Sequence, residues 1–283
     1  MLLPMNTSNA RFPARNYKPS PRKADLAPKP AADTAWEQQA EWYDQLQGEQ
    51  GDDFYGKLVL PAALRRLGAT RNQRVLDVCC GQGVLGRTLA TQQVFTFGID
   101  ASPALIAKAK ERASAFENYV VGDARKLDEL KIERRFDHAA LVMALQDLDP
   151  IVPVLRGMAE LVAPGGRLVM ALSHPCFRIP KRSMWGWDET FGVQYRRLDG
   201  YLSPLSSAIK THPGRVNDRS QTTSYHRPLS TYLNALGETG WGVMGADELC
   251  SHRRGTKGPR YGAEDLSFKE FPVFLLLTAQ RLR

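Results

Sequence analysis

Between Arg74 and Ser173 the chain alternates five short apolar runs with stretches of helical period, and no other feature of the sequence limits the fold as strongly. The runs are RVLDVCC (74–80), VFTFGID (94–100), YVVGD (119–123), DHAALVMAL (137–145) and RLVMALS (167–173). Each is short and rich in branched apolar residues, the pattern of a strand covered on both faces. Helical stretches at 84–90, 103–116 and 150–162 separate most of them, the second opened by Ser102 as N-cap and Pro103 as first helical residue. A strand followed by a helix cannot return as a hairpin, so the next strand lies parallel to it. The expectation is an α/β chain with a doubly wound sheet.

Upstream, Thr34 and Glu37 have the spacing of a capping box, and AWEQQAEWYDQL puts Trp36, Ala40 and Tyr43 on one helical face. A second helix, KLVLPAALRRLG, ends at Gly68. Downstream, 227–240 reads as a helix, 241–250 as a strand, 251–270 as a polar loop and 272–282 as a last strand. Residues 174–226 lack sustained period but are rich in Arg, Trp, Tyr, Pro and Gly; they form an insertion after the fifth strand, assigned to the substrate side.

The formal charge is +8, and half of that excess lies in residues 1–34, where six Lys and Arg oppose two Asp among six prolines. This segment is expected to be a disordered basic Pro-rich tail, leaving 35–283 as a single domain. The prolines argue against an amphipathic targeting helix, and no segment approaches the roughly 20 apolar residues of a membrane span. Cys79, Cys80, Cys176 and Cys250 have neither C-x-x-C nor His/Cys metal spacing. No metal site or disulfide framework is expected, and reduced thiols suit a soluble, cytoplasmic protein.

The first strand runs into RVLDVCCGQGVLG, a literal G-x-G-x-x-G at a strand-to-helix turn. Glycines there admit any ligand that needs close backbone approach. In a nicotinamide dinucleotide site an acid follows about 20 residues later to hold the ribose, a requirement Asp100 meets. Asp77, four residues before Gly81, does not belong to that pattern. Taken in order, LDVCCGQG, FGIDAS, VVGDARKL, FDHAALVMALQDLD, LVAPGGRLVM and FPVFLLLTAQR resemble the class I S-adenosylmethionine-dependent methyltransferases over about residues 36–283.

That resemblance implies a mostly parallel seven-stranded sheet of Rossmann-like methyltransferase fold with an antiparallel last strand. It also implies S-adenosyl-L-methionine as methyl donor and an O, N or C atom of a small-molecule acceptor. By the same resemblance Asp77 faces the methionine ammonium, and the backbone at Cys79, Gly81 and Gly83 admits the methionine portion. Asp100 takes the ribose hydroxyls and Ser102 lies by the adenosine. Asp123 takes the adenine amino group with Ala124 close by, while Met143 and Ala144 line the adenine or sulfonium region. Tyr43, in an A-x-x-Y-D segment, sits on a helix folded over the donor. Cys79 stands where the family has its first glycine, a departure compatible with the loop if φ at that position is not positive.

The donor motifs leave the acceptor open. Gln146, Asp147, His174, Trp185, Trp187, Tyr195, Tyr225 and His226 follow the fourth and fifth strands or lie in the insertion. His174 is the candidate catalytic base or orienting group, the alternative being a turn histidine bonded to backbone. A nucleic-acid or protein substrate is a second reading, motivated by Arg178, Lys181, Arg182, Arg196 and Arg197; a noncatalytic donor-binding protein is a third. Against base amino methylation, ALQDLDP lacks the Asn/Asp-Pro-Pro-aromatic group.

Overall fold

The computed structural model describes Thr34 and residues 36–132, 135–210 and 221–282. Apart from Thr34, the expected tail lies outside the described residues. Five strands run parallel: β1 (Arg74–Val78), β2 (Phe95–Asp100), β3 (Glu117–Val121), β4 (Phe136–Val142) and β5 (Val162–Ser173). Past the insertion, β10 (Trp241–Leu249) and β11 (Phe274–Arg281) complete one seven-stranded sheet of order β3-β2-β1-β4-β5-β11-β10, with β11 antiparallel to both its neighbours. The strand order reverses beside β1, the place where an open α/β sheet leaves a crevice at the carboxyl ends of its strands.

Helices cover both faces. On one side α2 (Leu60–Leu67) and α3 (Val84–Ala90) pack Leu67, Leu85 and Leu89 against Val75, Val169 and Leu276. On the other, α5 (Val152–Leu161) and α6 (Leu229–Glu238) bury Leu155, Met158 and Leu236 against Leu76, Leu141 and Met170. Trp241 is buried there with its indole N–H donating to the Leu155 carbonyl at 3.0 Å. The helix α4 (Pro103–Glu111) begins as the sequence indicates: Ser102 Oγ accepts from Leu105 N at 3.1 Å.

The capping box takes a different form. Glu37 does not close its own turn; its carboxylate accepts from Ser102 Oγ and from Ala104 N at 3.1 Å, so it caps α4 from a neighbouring element. This ties the segment before the N-terminal helix α1 (Ala40–Gln47) to the start of α4, and a bidentate pair from Arg112, at the end of α4, to Asp44 at 2.5 and 2.8 Å ties α1 itself.

The insertion is not aperiodic coil. It forms two antiparallel hairpins, β6 (Ser183–Asp188) with β7 (Val193–Leu198), and β8 (Leu205–Lys210) with β9 (Gln221–His226). Residues 251–270, expected as a polar loop, contain the helix α7 (Tyr261–Glu270). Its charged residues give little amphipathic signal; Phe268 and the following Phe271 nevertheless pack edge-on against Trp185 of β6, a contact only the hairpin can offer.

Candidate functional site

At the carboxyl ends of β1, β2 and β4 lies a cavity of about 370 Å³. Tyr43, Cys79, Gly81, Asp100, Met143 and Asp147 line it, and Trp36, Trp42 and Leu46 close it from the N-terminal side. Tyr43 reaches over the glycine turn: a Cβ at Gly81, whose φ is +56°, would lie 3.3 Å from its ring. Asp100 organises the same turn, one carboxylate oxygen accepting from Gly81 N and the other from Ser102 N, each at 2.9 Å. Asp77 is 2% exposed, and its Oδ2 has no hydrogen-bond partner among the described residues. It faces a side pocket of about 20 Å³ shared with Tyr43, Tyr55 and Cys79.

Asp100 and Asp147 line the cavity and Asp77 the side pocket beside it, and burial acts on each. It pushes Asp77 up to about 8, with the Asp100 charge adding to the effect, and Asp147 up to about 7. Asp100 is raised by burial too, opposed by its backbone donors. An acidic, partly desolvated chamber with an orphaned carboxylate oxygen suits a cationic ligand.

The pH dependence of stability follows. These groups keep their protons in the fold above the ordinary 3.8, where the unfolded chain has lost them, so unfolding releases protons. Stability of the ligand-free protein is expected to fall as pH rises from about 4 through about 8. Calorimetric melting across that range checks this; a melting temperature that is flat or climbs would refute it.

Five expected donor-side residues do not line the cavity: Asp77 opens onto the side pocket, and four others are engaged elsewhere. Ser102 is fully buried as the α4 cap, and Ala124 belongs to the core. Asp123 is engaged by Arg125, which donates to its Oδ2 at 2.7 Å and holds the carboxyl below its usual range against the opposing effect of burial. Gly83 serves packing: with φ +84°, its missing Cβ leaves room for the Tyr119 hydroxyl, which would lie 2.6 Å from one. The tolerance assumed for Cys79 also fails in its stated form. Cys79 has φ +58°, so a non-glycine residue occupies the left-handed region, a strain of about 1–2 kcal/mol that the buried turn sustains. Residues that sequence reasoning passed over, including Trp42, Leu46, Tyr55 and Leu105, reach the cavity from separate elements and carried no motif.

Through Gln146, Ser173, Ile209 and Ser224 the cavity adjoins a second chamber of about 310 Å³. Its walls include Arg178, Lys181, Arg196, Tyr225 and His226. At the junction Gln146 Nε2 donates to the Met143 carbonyl at 2.5 Å while its Oε1 is buried without a partner among the described residues. Trp185 and Trp187 are packing residues, lying beneath Arg196 and Arg260 at 4.9 and 4.4 Å, and Tyr195 lines neither chamber. The five basic residues of the nucleic-acid reading are divided. Three line the inner chamber, whereas Arg182 donates to the Gly200 carbonyl and Arg197 pairs with Asp199.

His174 is not at the crevice rim. It is 1% exposed, its Nε2 meets Glu248 Oε1 at 2.8 Å, and its Nδ1 accepts from Cys176 N at 3.2 Å. With the Nδ1 lone pair taken, the ring carries its hydrogen on Nε2 and has no nitrogen left for an acceptor. Burial holds it below the ordinary histidine value despite the pull of Glu248. The turn alternative is the structural one. His174→Ala is accordingly expected to cost about 1–3 kcal/mol of stability through unsatisfied buried groups, with turnover changed less than about tenfold. Chemical denaturation and steady-state rates together check this; a large rate loss at unchanged stability would restore a catalytic role.

Among the described residues no cluster of His, Cys, Asp or Glu could hold a metal ion, and no helix is long and apolar enough to cross a membrane. Residues 75–166 match the methyltransferase domain family. The demethylmenaquinone methyltransferase of Beutenbergia cavernae is 31% identical over 189 residues, covering 66% of this chain and 73% of that one. That of Tropheryma whipplei is 35% identical over 115 residues, 40% of this chain and about half (48%) of that one. Among solved structures, an S-adenosylmethionine-dependent methyltransferase from Mesorhizobium loti superposes with a TM-score of 0.61 at 26% identity, over 78% of this chain and 96% of its own.

Proposed function

This chain belongs to the class I S-adenosylmethionine-dependent methyltransferases, and we propose that it methylates a small-molecule acceptor whose attacking atom gives up a proton. The observation that carries the proposal is the pair of adjoining chambers, one acidic and one basic, meeting at Gln146 with Asp147 on the acidic side. When bound, S-adenosylmethionine supplies an electrophilic methyl group on a positively charged sulfur. The orphaned Asp77 Oδ2 fits its ammonium, a buried acceptor without a donor. Asp100 spends one lone pair per oxygen on backbone N–H groups and retains others for ribose hydroxyls. Tyr43 and the aromatic wall of the first helix exclude water above the turn.

On the acceptor side, Gln146 Oε1 orients a hydroxyl or amino donor, and the Asp147 carboxylate takes the proton that the attacking atom loses. Proximity and alignment supply much of the remaining acceleration. The relatives' names refer to a demethylmenaquinone, which supports a ring-sized acceptor here. The four free cysteines support residence in a reducing, cytoplasmic setting. Titration calorimetry tests the donor side: the chain is expected to bind S-adenosylhomocysteine and not NAD. Tight NAD binding with none for the methyl donor or its product would overturn the reading.

A further inference from the structure

We infer that the second chamber is an anion subsite, and that the acceptor carries a carboxylate or phosphate held there by Arg178 and Arg196. The inference rests on the methyl-transfer reading and names the acceptor's chemistry within it. Three cationic side chains, Arg178, Lys181 and Arg196, line the chamber, and no Asp or Glu is among its described lining residues. Elsewhere the chain pairs its arginines freely: Arg112 with Asp44, Arg125 with Asp123, Arg227 with Asp149 and Arg260 with Glu189. Among the described residues Arg178 has no carboxylate partner and lies over the Phe274 ring at 5.6 Å.

Arg196 is held rigidly for the same purpose. It stacks on Trp185, its Nε donates to the Phe177 carbonyl and its Nη2 to Ser183 Oγ, both at 2.9 Å. Neither bond neutralises the charge, and Nη1 is left free among the described residues. Both guanidiniums line this one chamber, and burial, then the Arg178 charge, lower the Arg196 value. Two like charges lining one cavity are stabilised by a shared anion, for which the guanidinium fork is the matching donor.

The arrangement also orients the acceptor. An anionic end is attracted by Arg178 and Arg196 and repelled by Asp147 and Asp100, so the opposite end of the molecule is directed to Gln146 and Asp147. At about 310 Å³ the chamber has room for an anionic group with a ring attached.

The test uses the full chain saturated with S-adenosylhomocysteine, titrated with benzoate, inorganic phosphate and, as neutral control, benzamide, at constant ionic strength and followed by NMR. At least one anion is expected to bind in the millimolar range and more tightly than benzamide. Arg178→Gln is expected to weaken that binding about tenfold, with Arg178→Lys intermediate and S-adenosylhomocysteine affinity unchanged. Benzoate weakened alone identifies a carboxylate subsite, and phosphate alone a phosphate subsite. The proposal is overturned if neither anion outbinds benzamide, or if Arg178→Gln binds both as tightly as the parent chain. Failure of S-adenosylhomocysteine to bind, read in its own titration, would instead sink the methyl-transfer reading.

Discussion

Asp147→Asn is expected to lower turnover by about 10²–10⁴-fold while leaving S-adenosylhomocysteine affinity within about twofold. Asp147 ends the short turn Leu145–Asp147 after β4 and lines the donor cavity beside the junction residue Gln146. Burial raises it to about 7, where a carboxyl exchanges protons readily near neutrality. Asparagine keeps the shape and removes the basic oxygen pair. The pH profile carries the sign: the ionised carboxylate is the active form, so turnover rises as pH climbs through about 7 and levels off above it. A donor cation bound nearby shifts that midpoint downward. Near-normal turnover in the asparagine variant would leave positioning alone to account for the rate, and Asp147 as a wall of the cavity.

Asp100→Ala has the second large effect, weakening donor binding by about 1.5–3 kcal/mol through lost hydrogen bonds to a charged group. Here the change also unties the glycine turn, because Gly81 N and Ser102 N both donate to this carboxylate. A lower melting temperature should therefore accompany the weaker binding. Asp100→Asn keeps one oxygen acceptor and is expected to fall between the two. Calorimetric titration of each variant with S-adenosylhomocysteine decides; unchanged affinity in the alanine variant would remove Asp100 from the donor site.

The grouping of residues around the cavity was legible where it follows the chain. Asp77, Cys79 and Gly81 come together because they are consecutive on one strand and its turn, and Asp100 joins them because β2 pairs with β1 in register, Asp77 opposite Gly98. The legibility ended two residues further. Ser102 follows Asp100 by two positions, yet its side chain turns inward to cap α4 and meets Glu37 from another element. Gly83 matched the motif for a reason the motif does not contain, the Tyr119 ring arriving from β3. Cys79 kept its place despite a positive φ, since the turn is held from outside by Asp100 and Tyr43.

His174 marks the same boundary on the acceptor side. Its position after β5 is local and was readable; its partner Glu248 lies 74 residues away on the antiparallel strand β10. Sequence by itself determined the alternation of strands and helices and the crevice at their carboxyl ends, because hydrophobic period and turn chemistry act over a few residues, while the cofactor class came from the resemblance carried by the ordered motifs. Only the tertiary structure decided which polar groups in that crevice are already satisfied. Among the described residues Asp77 Oδ2 and Gln146 Oε1 are buried without a partner, whereas His174, Asp123 and Ser102 are engaged, because satisfaction depends on donors and acceptors delivered from other parts of the chain.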